Sequence, residues 1–397
     1  MRPVREMIVP GFRAGGVWCG IKKGGKADLA IVASDRPCTS DVLFTRNRMA
    51  AAPVEWGRGL RSRSALRGVV ANSGNANACT GKQGREAVRR ISAGACRALG
   101  LRDGSLLVSS TGVIGVSLPT GKILAAIPGL CSSLSPGGIP RAGEAILTTD
   151  AYPKRGVRKV RVRGGTVTLG GIAKGAGMIA PGMGTMLAYV FTDAALRSSD
   201  LRSVFREAVA LSFNRIVVDG DMSTNDTAAI FANGACGLPP LTGKDLSVFA
   251  GALSRLLLDL ALMIVRDGEG ATRVVRISVS GARSERDAEA AARAVATSPL
   301  VKTAVFGADL NWGRVVAAVG RSGATLTPER VEVSLAGEKV VRRGMEIDRK
   351  AERRAAPKIR KEAYGIDVDL GLGKGSYFVY FSDLGHEYVR INAGYRT

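Results

Sequence analysis

Lys174-Gly-Ala-Gly-Met-Ile-Ala-Pro-Gly-Met-Gly-Thr-Met-Leu-Ala-Tyr-Val-Phe-Thr-Asp193 is a glycine-rich approach that runs into an apolar segment. Gly175, Gly177, Gly182 and Gly184, together with Pro181, disfavour helix and strand alike, because glycine adds backbone freedom and proline lacks an amide donor. A shaped loop is expected there. From Met186 to Phe191 every residue is apolar, and Tyr189 and Val190 suit a pleat, so a buried strand should start just after Thr185. A hydroxyl then stands where a loop meets a strand.

That placement suits self-cleavage between Gly184 and Thr185. In an N→O acyl shift the Thr185 hydroxyl attacks the preceding carbonyl, and Gly184, having no side chain, leaves that carbonyl open. Hydrolysis frees the amine of Thr185. An α-amino group titrates near ~7.7–8.0, so a freed N-terminal threonine carries its own general base at neutral pH. The alternative on pattern alone is a glycine-rich turn before a core strand.

At 397 residues the chain can bury a sizeable core in two or more lobes. Its 46% hydrophobic content and 51 glycines describe a globular protein rich in turns. The first residues, Met1 to Gly11, hold no long apolar run, so no leader is expected. Leu256 to Val265 is the most apolar helix candidate, interrupted by Asp259 and too short to span a bilayer. A soluble, cytoplasmic protein without membrane contact is therefore expected.

Cys19, Cys38, Cys79, Cys96, Cys131 and Cys236 show no C-x-x-C spacing, which argues against zinc and against a disulfide framework. His386 is the one histidine, and Asp383-Leu-Gly-His-Glu-Tyr388 reads as a polar hairpin turn. A nucleophile that brings its own amine fits this scarcity better than a histidine-dependent triad does. The net charge of +23 raises the question of nucleic acid. Lys and Arg are spread, however, as in Arg58 to Arg67, Lys154 to Arg163 and Arg349 to Arg360; aromatic residues reach only 5%, and no binding module is legible. A basic surface that attracts small carboxylates is the expectation.

Along the chain, Leu66 to Ala71 reads as a buried strand ending in Asn72-Ser-Gly-Asn-Ala-Asn-Ala-Cys-Thr-Gly81. That asparagine density makes either a hydrogen-bonded network or an ordinary loop. Glu86 to Leu99 has helical spacing, stopped by Gly100. Leu106 to Val108 reads as a strand leading to Ser109-Ser-Thr-Gly-Val-Ile-Gly115, where a hydroxyl and a glycine amide stand side by side as an oxyanion hole requires. Taken alone it reads equally as a Ser/Thr-rich turn, and the turn is preferred. Val160 to Leu169 suggests a hairpin turning at Gly164-Gly165, and Asp200 an N-cap for a helix to about Leu211. Asp219, Asp221 and Asp226, set among Ser223, Thr224 and Asn225, could hold Mg²⁺ or Ca²⁺. They lack the alternation of a calcium loop, so a hydrogen-bonded structural loop is preferred. Leu253 to Arg266 is a helix ending near Glu269, which lies between two glycines. Arg273 to Ser280, Glu285 to Val295 and Val301 to Phe306 read as strand, helix and strand, an α/β layer. Glu329 to Val341 and Tyr377 to Asn392 read as hairpins.

The ordered set Asn72-Ser-Gly-Asn-Ala-Asn-Ala78, Ser110-Thr-Gly-Val-Ile-Gly115, Thr148-Thr-Asp150, Lys174-Gly-Ala-Gly-Met-Ile-Ala-Pro181, Ser223-Thr-Asn-Asp226, Val265-Arg-Asp-Gly-Glu-Gly-Ala-Thr272, Asn311-Trp-Gly-Arg314 and Ile391-Asn-Ala393 resembles ornithine acetyltransferase, also called glutamate N-acetyltransferase. The resemblance runs from about Gly11 to Thr397. It implies a layered α/β sandwich related to self-processing aminopeptidases, and a self-processing acyltransferase of arginine biosynthesis. Cleavage would yield an alpha chain of residues 1–184 and a beta chain of residues 185–397, which pair into an α2β2 heterotetramer. Thr185 would accept acetyl from N-acetylornithine and pass it to glutamate. The resemblance places Thr111 through its hydroxyl and Gly112 through its amide in the oxyanion hole. It places substrate on Thr148, Lys174, Thr185, Glu269, Asn392 and Thr397. No metal or cofactor is implied, with acetyl-CoA open as a second acetyl donor. A related amidase or aminopeptidase using the same threonine is the alternative. Gly182 stands where the family pattern carries Asn, and Gly394 where it carries Glu.

Overall fold

The computed structural model describes residues 6–60, 65–180 and 186–394. Gly184, Thr185 and Thr397, three of the residues singled out above, lie outside that description, as do Pro181, Gly182 and Met183.

The apolar run after Thr185 forms the strand Leu187–Thr192, and all six of its residues are buried. Burial on both faces means that the strand lies between two layers, which explains why its sequence lacks the alternation of a half-exposed strand. It pairs in parallel with Thr227–Ala232 and antiparallel with Gly165–Lys174. With Thr39–Phe44 and Lys154–Val162 at the edges, these strands make a five-stranded sheet. On one face Ala188, Val190, Ile230 and Leu169 pack against the helices Ser198–Ala210 and Gly243–Arg266. On the other, Leu187, Tyr189, Phe191 and Phe231 meet Phe12, Val32, Val69 and Leu107 of a four-stranded sheet. That second sheet carries the helices Gly81–Ala98 and Thr120–Ser132 on its outer face through Val70, Val88, Ile91 and Ile127. The order helix, sheet, sheet, helix is the layered α/β sandwich expected.

A second lobe is a seven-stranded sheet built around Val274–Ala282, Ala363–Asp369 and Gly375–Ser382. Val279, Val333, Ile366 and Val379 bury one of its faces against Ala288, Val295, Val305 and Ala355 from its helices. The hairpin at Gly164-Gly165 forms as expected, with Val162 opposite Gly165.

Four local expectations need correction. Pro299–Phe306 is a helix: Ser298 accepts a hydrogen bond from the Val301 amide and Pro299 begins the helix, so a capping signal outweighs the β-branched content. The tail does not continue as a hairpin, because strand Gly375–Ser382 gives way to helix His386–Gly394, with His386 as its first residue. The helix Ser198–Ala210 starts before Asp200, which sits inside its first turn. The apolar helix is Gly243–Arg266, 24 residues holding an 18-residue window of mean hydropathy 2.0, long and apolar enough by length and composition to cross a membrane. Half of that stretch is buried inside the molecule, where Leu253, Leu256, Leu260 and Ile264 join the core.

The cap at Ser298 is directly testable. Ser298→Ala should cost about 1 kcal/mol in a urea titration, whereas a strand at that position would leave the midpoint unmoved.

Candidate active site

The two sheets converge on a cleft of about 180 Å³. Thr111, Gly112, Thr148, Lys174, Glu269 and Asn392 all line it, together with Asp219, Asp221 and Tyr388. Six predicted positions spread from Thr111 to Asn392 are thus brought to one place, while Thr185 and Thr397 are outside the described residues.

One wall comes from paired parallel strands. Leu106–Val113 is strand to its end, where a turn was preferred, and it runs beside Gly68–Asn75 with a register break at Gly74 and Asn75. Gly112 has φ 131°, and a Cβ there would fall 2.3 Å from the Gly74 carbonyl carbon. Only glycine lets the two backbones approach this closely. The asparagines form a network rather than an ordinary loop. Ser110 donates to the Asn72 side chain at 2.7 Å, and the Asn77 amide donates to Asn75 Oδ1 at 2.8 Å. Asn225 donates to the carbonyls of Ala76 and Ser110 at 2.6 and 2.8 Å. This bracing holds Thr111 and Gly112 in place.

The loop from Asp219 to Thr227 is held by many hydrogen bonds. Asp219 accepts from the amides of Met178, Ile179 and Asp221 at 2.6, 2.8 and 3.1 Å. That pins the approach segment, since Val218 in turn donates to the Ile179 carbonyl. Among the described residues no group of three or more His, Cys, Asp or Glu side chains is placed to hold a metal ion.

Lys174 ends the strand Gly165–Lys174, opposite Leu187. Its side chain is buried, with its ammonium 3.8 Å from Asp150. Burial lowers the pKa of Lys174, while the carboxylate of Asp150 raises it. Burial also pushes Asp150 upward, but Lys174 and Lys154 outweigh it and hold that carboxyl below the usual range. Glu269 also lines the cleft, its amide donating to the Ala176 carbonyl and its Oε2 accepting from Asn392 at 2.8 Å. Gly177 makes room for it: a Cβ there would sit 2.5 Å from Glu269 Oε2. Asn392 is delivered by helix His386–Gly394, which packs so tightly on Gly270 that a Cβ there would lie 2.6 Å from the Tyr388 nitrogen. Burial and the acids Asp219, Asp221 and Glu269 push the Tyr388 phenol upward. The cleft is therefore bipolar, cationic at Lys174 and anionic at Glu269, Asp219 and Asp221. Such a site reads a small molecule carrying both a carboxylate and an ammonium.

Sequence reasoning named Asp226 only within a polar loop and the Ser223–Asp226 motif, and did not foresee its burial. Its Oδ1 accepts from the Met186 amide at 2.9 Å, and its Oδ2 is buried without a hydrogen-bond partner. Burial raises its pKa well above the ordinary value, against smaller pulls from the Met186 amide, the Thr45 side chain and Lys174. The Ser223–Asp226 motif pointed there, but a carboxylate in a polar loop looks solvated until the fold closes over it. Lys154 was missed, because it opens a basic run that reads as surface, and yet it is wholly buried. Asn311 and Trp312 stand away from the cleft: Asn311 caps helix Trp312–Gly320 by accepting from the Arg314 amide.

The Asp226 carboxyl has a pH signature. Because its pKa is raised in the fold, the folded chain keeps this proton after the unfolded chain has lost it, so this group's contribution to stability falls as pH rises above about 4. Asp226→Asn keeps the oxygen that Met186 needs and cannot ionise. In thermal melts its Tm relative to the parent should therefore climb as pH is raised from about 4 toward neutrality, and parallel curves would contradict a raised carboxyl.

Comparison with known proteins agrees with this geometry. A profile of the ArgJ family matches residues 13–397. The arginine biosynthesis bifunctional protein ArgJ of Geobacter sulfurreducens is 48% identical over 393 residues, covering 98% of this chain and 100% of that protein. Its counterpart in Symbiobacterium thermophilum is 46% identical over 391 residues, covering 98% and 97%. The crystal structure of the Bacillus halodurans protein of the same name is 36% identical with a TM-score of 0.50, spanning 52% of this chain and 98% of that one. Since profile and homologues run through every wall of the cleft rather than through one lobe, the chain belongs to the ArgJ family.

Proposed function

We propose that this chain is a glutamate N-acetyltransferase of arginine biosynthesis, moving acetyl from N2-acetylornithine to L-glutamate through an acetyl-threonine. The observation that supports it most is the convergence of Thr111, Gly112, Thr148, Lys174, Glu269 and Asn392 on one bipolar cleft. Its substrates share an α-carboxylate, for which Lys174 is the available cation, and the ornithine ammonium matches Glu269.

The nucleophile in this reading is Thr185, exposed as a new N-terminus by cleavage after Gly184. The products are an alpha chain, residues 1–184, and a beta chain, residues 185–397, held together and paired as α2β2. The Thr185 hydroxyl loses its proton to its own amine and attacks the acetyl carbonyl of acetylornithine. Negative charge on that oxygen is met by the Thr111 hydroxyl and the Gly112 amide. The C–N bond then breaks, ornithine leaves with the proton, and an acetyl ester remains on Thr185. Glutamate enters, its amine attacks the ester, and acetylglutamate departs as the hydroxyl is restored. Thr397 completes the substrate contacts, and acetyl-CoA stays open as a second donor to the same threonine.

Intact mass and a transfer assay test this together. Two fragments meeting at Gly184 and Thr185, with acetyl transfer from N-acetylornithine to glutamate in the absence of any cofactor, are expected. Thr185→Ala should remain one chain and transfer nothing. Free acetate released without an acceptor would instead identify an amidase. In the processed enzyme, Thr111→Val should lower kcat by about 10²–10³-fold, and Lys174→Met should lower kcat/KM for both substrates by about 10–100-fold.

A further inference from the structure

Behind the cleft lies a row of four buried charges. Lys154 donates to Asp150 Oδ1 at 2.6 Å and also to Asp267 Oδ2, and Lys174 stands 3.8 Å from Asp150 Oδ2. Side-chain exposure is 0% for Lys154 and Asp150, 4% for Asp267 and 3% for Lys174. Each carboxylate is also tied to backbone. Asp150 accepts from the amides of Gly175 and Thr148 at 2.7 and 3.0 Å, and Asp267 from that of Ala151 at 3.0 Å.

The two carboxylates lead to different charged residues of the cleft. Asp150 holds the amide of Gly175, the residue after Lys174. Asp267 is the C-cap of helix Gly243–Arg266 and precedes Glu269 by two residues. A carboxylate there faces the negative end of the helix and is unfavourable unless a cation answers it. Lys154 is that cation, and it lines no part of the cleft itself.

We propose that Lys154 is a positioning residue for substrate recognition: through Asp150 it sets the Lys174 ammonium, and through Asp267 it sets the Glu269 carboxylate, so one buried cation fixes the spacing of the charges that read an amino acid. This inference rests on the functional reading above. Without Lys154, two carboxylates share a dry space, and Asp150 is left to draw Lys174 into full contact and out of the cleft.

Lys154→Met and Asp267→Asn, each as the full processed chain, test it. Lys154→Met should raise KM for N-acetylornithine and for glutamate by about tenfold or more with kcat within about threefold, the pattern of lost ground-state placement. Asp267→Asn, nearly isosteric, should raise KM for N-acetylornithine, whose side chain ends in an ammonium, several times more than KM for glutamate, whose side chain ends in a carboxylate. Direct titration with ornithine and with glutamate reads the same placement without turnover. An inactive parent protein that still binds both would therefore sink the transfer reading alone, while a parent that binds neither overturns both. Unchanged KM in Lys154→Met overturns the proposal. So does an equal rise for both substrates in Asp267→Asn, which would mark the row as structural only.

Discussion

The amide of Met186 donates to the buried carboxyl of Asp226, and this bond determines where a strand buried on both faces begins. A sandwiched strand has no solvent to satisfy its first backbone donors, so something inside the protein must. The register follows from it: Thr227 donates to the Met186 carbonyl, and Thr227 lies opposite Leu187. Lys174 lies opposite Leu187 on the other side. One polar bond at the edge of an apolar sheet thus aligns three strands on the cleft.

The four-stranded sheet meets that edge through close backbone contact rather than charge. At Gly74 and Gly112 the parallel strands approach to a distance no side chain allows, and Asn225 braces the carbonyls on both sides. Rigid backbone suits an oxyanion hole, since donors that must reorganise during reaction stabilise less. On the charged side of the cleft, Lys174 stands beside Asp150, which Lys154 binds in turn.

The basic composition takes on another meaning in this light. Most of the lysines and arginines are ordinary surface residues, yet Lys154, Lys174 and Lys302 are buried. Burial lowers Lys302 to about 8, with Asp383 pulling it back upward. Net charge could not separate these three from the rest, because a buried cation is defined by what closes over it.

The sequence by itself determined the apolar strand after Thr185, the long helices, the hairpin at Gly164-Gly165 and, through an ordered set of motifs, the family. These depend on local periodicity, turn chemistry or residue identity, all of which are written along the chain. Only tertiary structure decided that Ser109–Val113 stays in a strand, since its pairing partner at Asn72–Asn75 is distant in sequence. It also decided that the tail docks as a helix on Gly270, and that Lys154, Asp150 and Asp267 form one row behind the cleft. Whether a charge is solvated or buried, and which opposite charge answers it, depends on layers contributed by segments more than a hundred residues apart, and no local pattern encodes that encounter.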